Sequence, residues 1–314
     1  MAALPAAGRR HRPFRGGHPM SFTVISPGPQ ALFQDRGRFG FAGSGVGSSG
    51  SFDRLSAARA NHLLGNDPNA TVIEILIGSF ELEVHAPATI VFTGTAATVM
   101  AVDRRGRSKN ATTNTILEVE DGDLVRLENA DHGMRAYLAV RGGFEVPKVL
   151  GSAATDLLSA LGPPPIREGD QLTIARDIAD KQWWPVLRQL PTVWRHPSMT
   201  ETLTVIRGPR DRWFTDEALD GFFRQRFTVS ADSNRIGIRL NAEKPLSRRI
   251  EGELKSEGMV RGSIQVPPGG HPVIFGPDHP VTGGYPVIAV LTARSADRCA
   301  QLWPGDRVRF TVQH

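Results

Sequence analysis

The 314-residue chain has 40% hydrophobic and 22% charged residues, an ordinary globular balance, and no apolar run near the length of a membrane span. Its single cysteine, Cys299, excludes an internal disulfide framework and any cysteine-built zinc or iron–sulfur centre, and it suits a reducing cytoplasm. The formal charge of +5 is concentrated in residues 1–19, where Arg9, Arg10, Arg12 and Arg15 face no acid, so the remainder lacks the basic footprint of nucleic-acid binding.

Taken in order, the leader MAALPAAGRRHRPFRGGHP has no apolar stretch for a secretory signal, and its Pro and Gly oppose an amphipathic transit helix. A disordered leader over 1–20 is expected, or a start read too early, with Met20 as the natural beginning. A strand is expected at Phe22–Ile25, broken by Pro27-Gly28-Pro29. Then comes the densest chemistry in the chain, Gln34 to Asn66. Gly45-Val46-Gly47-Ser48-Ser49-Gly50 spells GxGxxG and opens onto a predicted helix, with Ser51 as N-cap, Asp53 in its first turn and Gly65-Asn66 as its stop.

From Thr71 to Arg141 the pattern turns to short strands: TVIEILIG, FELEVHA, ATIVFTG, ATVMAV, TILEV, DLVRLE and MRAYLAVRG. FELEVH alternates at period two, as a half-buried antiparallel strand does. A short helix is expected near Thr155–Leu161. Gly122-Asp123, Gly169-Asp170 and Gly305-Asp306 each precede a strand, which reads as one tight turn used three times. Residues 178–200, rich in Trp and Pro, read as a linker with a short amphipathic helix. They divide a β-rich half, 21–177, from a second half, 201–314. In the latter, helices are expected at Asp216–Phe223 and around Asp297–Leu302, among short strands.

The glycine motif fails as a dinucleotide site. That turn needs a hydrophobic strand directly before the glycines, and Gln34–Phe41 is charged and Gly-rich. Glu74, at about the right distance, sits inside an apolar strand. No train of βαβ units follows. What remains is a glycine loop before a helix, able to form an anion nest. P-loop, nucleophile-elbow and biotin-attachment motifs are missing, and the nine scattered histidines show no ligand spacing, so no metal is expected.

QDRGR, GVGSSGSFDRLSAARANHLLGN, IEILIG and FTGTAA in the first half resemble allophanate hydrolase subunit 2–type proteins, the biotin-dependent carboxyltransferase-like group that includes the C-type subunit of bacterial 5-oxoprolinase. RGPRDRWF, VSADSNRIGIRL, KSEGMVRGSIQVPPGGHPVIFGPD and TGGYPVIAVL extend the resemblance through the second half, from about Ser21 to Val312. It implies a mostly β fold with a few short helices, in two halves built on cyclophilin-like open β-barrels. It also implies a smaller subunit-1-type partner, a further lactam-utilisation subunit, a small amide or lactam substrate, and ATP or carboxybiotin supplied through the complex rather than bound covalently. The activity implied first is ATP-dependent opening of 5-oxoproline to glutamate. Its rivals are a carboxyltransferase or allophanate hydrolase subunit 2 of a urea-degrading or biotin-dependent system, and a non-catalytic binding module of the kind that regulates a sporulation kinase. Three positions depart from the group's pattern: Asn234, Pro280-Val281 and Ala153.

Acting on a planar amide requires donors for an oxyanion and a group to manage a proton. Asn234, Lys255 and Glu257 are the catalytic candidates: an amide, an ammonium beside the Ser256 hydroxyl, and a carboxylate. Arg235 offers a guanidinium fork, and Gln265, Thr282, Gly283, Gly284 and Tyr285 are candidates for lining the same pocket, although the glycines also suit a tight turn. In the first half, Asp35 and Arg38, with Arg36, either place an anion, orient a partner or form a salt-bridged turn. Ser49, Gly50 and Asp53 complete the substrate-binding candidates. Glu74 is costly to bury alone and requires a partner such as an arginine.

Overall fold

The computed structural model describes residues 21–130, 133–178, 183, 185, 188–190, 200–252 and 254–313. The leader over 1–20 and most of the 178–200 linker, where a helix was expected, lie outside the described residues.

The first half begins with β1 (Phe22–Pro27), β2 (Gln30–Gln34), α1 (Arg54–Leu63), β3 (Val72–Leu76), β4 (Phe80–Val84) and β5 (Ala88–Gly94). It continues with β6 (Thr98–Val102), β7 (Ser108–Thr112), β8 (Ile116–Val119), β9 (Leu124–Leu127), β10 (Arg135–Val140) and β11 (Gln171–Leu172). One sheet has the order β11-β1-β4-β9-β6-β7 and the other β2-β3-β10-β5-β8. Phe22, Leu82 and Val125 of the first meet Ile73, Phe92 and Leu138 of the second in one core.

The strand sequences differ because their surroundings do. In β4, Phe80, Leu82 and Val84 enter the core while Glu81 and Glu83 stay half-buried on the other face. β10, RAYLAV, is buried at every position. Its second face is covered by α1, whose Ala57, Ala60 and Leu63 pack on Val72, Tyr137 and Ala139. A sheet covered on both faces reads as a continuous apolar run.

The second half contains β12 (Glu201–Arg207), α2 (Asp216–Arg224), β13 (Phe227–Val229), β14 (Gly237–Ala242), β15 (Glu257–Gly258) and β16 (Ser263–Gln265). β17 (Val273–Phe275), β18 (Thr282–Gly283), β19 (Val287–Leu291), α3 (Ala293–Arg298) and β20 (Arg307–Val312) follow. Seven of these strands close into a barrel, in the order β12-β19-β16-β17-β14-β13-β20, where the resemblance implied an open one. The closing pair, β12 and β20, is parallel. β15 and β18 form a separate two-stranded ribbon. Phe52, which precedes α1, is buried in the barrel's core, so a first-half side chain locks the halves together.

The mostly β class with few short helices holds. The Gly-Asp echo is one turn used three times. Asp123, Asp170 and Asp306 each accept from the backbone N–H three residues earlier, at 2.9, 2.8 and 2.9 Å. The glycine before each has a left-handed φ, 86°, 83° and 92°, which favours a residue without Cβ.

Several local expectations are corrected. Thr155–Leu161 is a turn, because Asp156 captures the amides of Leu158 and Ser159 at 2.9 and 3.2 Å and so competes with a helix. Asp53, not Ser51, caps α1: its carboxylate accepts from Ser56 N at 3.0 Å, while the Ser51 hydroxyl donates to the Asp35 carbonyl. α3 starts at Ala293, capped by Thr292, and gives way to a 3₁₀ turn over Cys299–Gln301. Cys299 is buried in that turn, as a core residue. The dinucleotide exclusion is confirmed by topology: β2 and β3, on either side of the glycine loop and α1, are antiparallel neighbours.

Candidate functional site

Where the two halves meet, the sequence's most charged candidates condense into one buried cluster. Glu74 lies on the α1 side of β3, directly opposite Tyr137 of β10. One of its oxygens accepts from Tyr137 Oη at 2.9 Å and from the Phe52 N–H at 2.8 Å. The other meets Arg235 Nη1 and lies 3.4 Å from Arg135 Nε. Arg235, 1% exposed, crosses from the second half. Its Nε and Nη2 also bind Asp278 at 2.8 and 2.9 Å, and Nη2 reaches the Gly50 carbonyl at 2.8 Å. Two guanidinium groups face two carboxylates, with every polar arm of Arg235 used.

Burial sets the electrostatics here. It pulls the Arg235 guanidinium down, but the Glu74 and Asp278 carboxylates more than offset that and hold its pKa above the ordinary range. Burial lowers Arg135, against the pull of Glu74. Burial, then the charges of Glu74 and Asp53, pushes the Tyr137 hydroxyl well up, so it remains a neutral donor. Such a cluster is specific to the closed fold and costly to break from one side.

The Gln34–Asn66 stretch is absorbed into this architecture. Asp35 accepts from Ser152 Oγ at 2.6 Å, Ala153 N at 2.8 Å and Gly37 N at 2.8 Å. Arg38 is buried, with Nη2 on the Ala154 carbonyl and Nε 3.5 Å from that of Val149. Both residues brace the 149–155 loop. Ser49 places its hydroxyl 2.6 Å from Asp278 Oδ1, and Gly50 holds φ 94° with its carbonyl on Arg235. Asp53 is spent on Ser56 and on Gln301 Nε2 at 3.1 Å, and its carboxyl is raised by burial. Around the expected nest, the amides of Gly45, Val46, Ser51 and Phe52 have protein acceptors, Glu74 among them, while those of Gly47, Ser48, Ser49 and Gly50 donate to none among the described residues.

The second-half candidates separate. Arg235 joins the seam, while Asn234 lies exposed in the adjoining turn, its Oδ1 accepting from Ile236 N at 2.8 Å and Gly237 N at 3.2 Å. Its acceptor atom is committed to the backbone. The others come together in the β15–β18 ribbon, where Glu257 pairs with Gly283 and Gly258 with Thr282. Gln265 lies beneath: Nε2 donates to the Tyr285 carbonyl at 3.0 Å, and a Cβ on Gly283 would come within 2.5 Å of that nitrogen. A side chain at Gly283 would therefore displace the Gln265 amide, although its φ is not left-handed. Gly284 lies beside the Leu254 carbonyl, with Tyr285 exposed after it. Lys255 and Ser256 are exposed, and Lys255 forms no hydrogen bond or ion pair among the described residues.

Two arginines complete the ribbon, and residue-type reasoning missed both. Arg210, from RGPRDRWF, binds Glu257 with Nε 3.0 Å from Oε1. That contact lowers the Glu257 carboxyl pKa, so Glu257 is an anchor for Arg210 and a weak base. Arg248 lies 5.8 Å from the Tyr285 ring and donates to the Val266 carbonyl, with a buried Nε left unpaired. The segment from Asp278 to Tyr285 joins ribbon to seam. On it, His279 stacks on Phe275 with centroids 5.8 Å apart, and Nδ1 lies 2.8 Å from the Pro280 carbonyl. No group of three or more metal-ligating side chains occurs among the described residues. The glycine loop does not fit the dinucleotide turn, because the strands on either side of it and α1 are antiparallel neighbours.

The carboxyltransferase domain, subdomain A and B, family matches residues 44–312. The chain is 33% identical over 291 residues to the C-type subunit of Escherichia coli 5-oxoprolinase, covering 91% of this chain and 89% of that one. It is 30% identical to urea amidolyase of Lachancea kluyveri, across 93% of this chain and 17% of that far longer protein. Among solved structures, urea amidolyase of K. lactis superposes with a TM-score of 0.83 at 27% identity, over 94% of this chain and 19% of that one. TTHA0988 superposes at 0.78 and 28% identity, over 99% of this chain and 60% of that one.

Proposed function

The chain belongs to the carboxyltransferase domain, subdomain A and B, family, and from that premise we propose that it is the C-type component of a 5-oxoprolinase. In this reading it acts with a smaller subunit-1-type chain and a lactam-utilisation subunit to open 5-oxoproline to glutamate, a hydrolysis of a cyclic C–N bond. ATP enters through the complex, and no step is assigned to it on this chain. One observation carries the choice: the C-type 5-oxoprolinase subunit and this chain cover each other nearly end to end, whereas urea amidolyase contains this length as a small part.

The β15–β18 ribbon supplies the chemistry on this chain. Lys255 is a free ammonium able to stabilise the oxygen of an amide under attack. Arg210 is held in place by Glu257, and Tyr285, with Arg248 against its ring, offers a polar edge for a small planar substrate. The test is co-expression with the two partner subunits and an assay of ATP-dependent 5-oxoproline cleavage. Turnover that depends on this chain is expected.

A second reading is favoured by the urea amidolyase superposition, at a TM-score of 0.83. Here the same ribbon receives an amide nitrogen as acceptor of CO₂ from carboxybiotin. No lactam cleavage by the assembled complex, with carboxylation of urea when a biotin carboxylase and carrier are added, would replace the first reading with this one.

A further inference from the structure

Between the loop after β2 and the outer face of α1 lies a cavity of about 330 Å³, within the lower range of small-molecule sites. Phe39 and Leu55, 59% and 55% exposed, line it together with Ala58 and Pro68. Arg36 and Arg54 line it too, and here the charges do not balance. Asp35 borders the cavity as one acid against two cations, its carboxylate turned to the neutral donors of Ser152, Ala153 and Gly37. Asp297, the other acid near Arg54, is bound to Arg261 at 2.7 Å. Arg54 Nε is buried without a hydrogen-bond partner, and neither Arg54 nor Arg36 forms an ion pair among the described residues. Burial first, then the repulsion of Arg261 and Arg36 against the pull of Asp297, holds the Arg54 guanidinium below its ordinary range.

A half-buried guanidinium with an unpaired donor, next to a second cation, is a cost that an anion removes. The apolar side of the cavity limits what that anion can be. Phe39 lies 5.7 Å from the Arg54 guanidinium, so the cation and an exposed aromatic ring share one wall. The polar groups of the floor are already satisfied: Ser51 Oγ binds the Asp35 carbonyl, and Asn61 binds the Ala70 carbonyl and Asn66. They offer little to a ligand rich in hydroxyls.

We infer that this groove binds a small organic carboxylate with a flat or apolar body, the carboxylate on Arg54 and Arg36 and the body against Phe39, Leu55 and Pro68. 5-Oxoproline is one member of that class, and in taking it as a probe the inference rests on the proposed function; the site itself does not.

The test is calorimetric titration of the full chain with 5-oxoproline, cyclopentanecarboxylate, 2-pyrrolidinone and urea, on the natural protein and on Arg54→Gln and Phe39→Ala. Both carboxylates bind and the two neutral amides do not. Arg54→Gln weakens the carboxylates at least about tenfold, which is the loss of one charge-assisted contact of about 1.4 kcal/mol. Phe39→Ala weakens them a few-fold, and both variants melt with the natural protein. Overturning results are no binding of either carboxylate at millimolar concentration, unchanged binding in Arg54→Gln, or 2-pyrrolidinone binding as well as 5-oxoproline. The two ideas fail separately. Carboxylate binding that Arg54→Gln abolishes supports the groove even if the assembled complex never cleaves 5-oxoproline, a result that would sink only the 5-oxoprolinase reading.

Discussion

The seam and the ribbon use the same side chains to opposite ends. At the seam, Arg235, Arg135, Glu74 and Asp278 are buried and mutually satisfied, with a tyrosine and backbone groups taking the remaining bonds. In the ribbon, Arg210 and Glu257 pair at the surface, Arg248 keeps an unpaired Nε, and Lys255 stands free among the described residues. Guanidinium and carboxylate groups therefore do not mark a site by their presence. What distinguishes the two places is whether the fold has already consumed their hydrogen-bonding capacity. A consumed group specifies how the halves meet; an unconsumed one is available to a ligand.

The strongest way to break this comparison is Arg235→Met. It removes the cation that Asp278 depends on and one of two that Glu74 uses, so a loss of about 3–5 kcal/mol in denaturant unfolding is expected. A variant that stays as stable as the natural protein but loses ligand would move Arg235 to the binding side. Next in size is Gly50→Ala. Its φ of 94° is left-handed, and a Cβ would lie 2.7 Å from the Arg36 carbonyl oxygen, a backbone atom that cannot yield cheaply. A loss of at least about 2 kcal/mol is expected by thermal melting. On the ribbon side, Lys255→Ala should leave stability within about 0.5 kcal/mol. Turnover by the assembled complex should fall about tenfold or more, roughly 1.4 kcal/mol in the barrier. Equal turnover would leave the free ammonium without a task and undo that half of the comparison.

Much of the seam was foreshadowed in the sequence, though not its geometry. A glutamate inside VIEIL demands a guanidinium, and Glu74 has one. That the partner arrives from the second half, with a further arginine from β10 beside it, depends on the closing of the fold, which no local pattern encodes. The glycine motif was rejected on its neighbours, and the antiparallel β2–β3 pair agrees. Of the amides expected to be open, those of Gly45 and Val46 are taken by nearby carbonyls, whereas those of Gly47 to Gly50 donate to none among the described residues. β7, SKNAT, has no alternation to read, since it is a polar edge strand paired on one side only. β2 and β17 escaped notice because charged or proline-flanked neighbours hid five and three residues of strand. In the ribbon, the acid of Lys255-Ser256-Glu257 was singled out as chemistry. Arg210 was the missing half, and an acid facing a conspicuous RGPR run is the signal that could have paired them.

His279 lies between the two regions, and the smallest prediction decides its side. Burial, with Arg261 adding to it, lowers the imidazole pKa below its ordinary 6.5, against the opposing Pro280 carbonyl, Asp278 and Asp156. Folded His279 therefore resists a proton that the unfolded chain accepts. As pH falls from 6.5 toward the folded value, the unfolded state binds more protons and the protein loses stability. His279→Gln removes that term while keeping a donor for the Pro280 carbonyl. Stability measured between about pH 7 and 5 should decline less steeply in the variant than in the natural protein. Matching slopes would mean that the imidazole ionises freely in the fold. It would then belong with the solvent-facing groups of the ribbon, and the sealed region would end at Asp278.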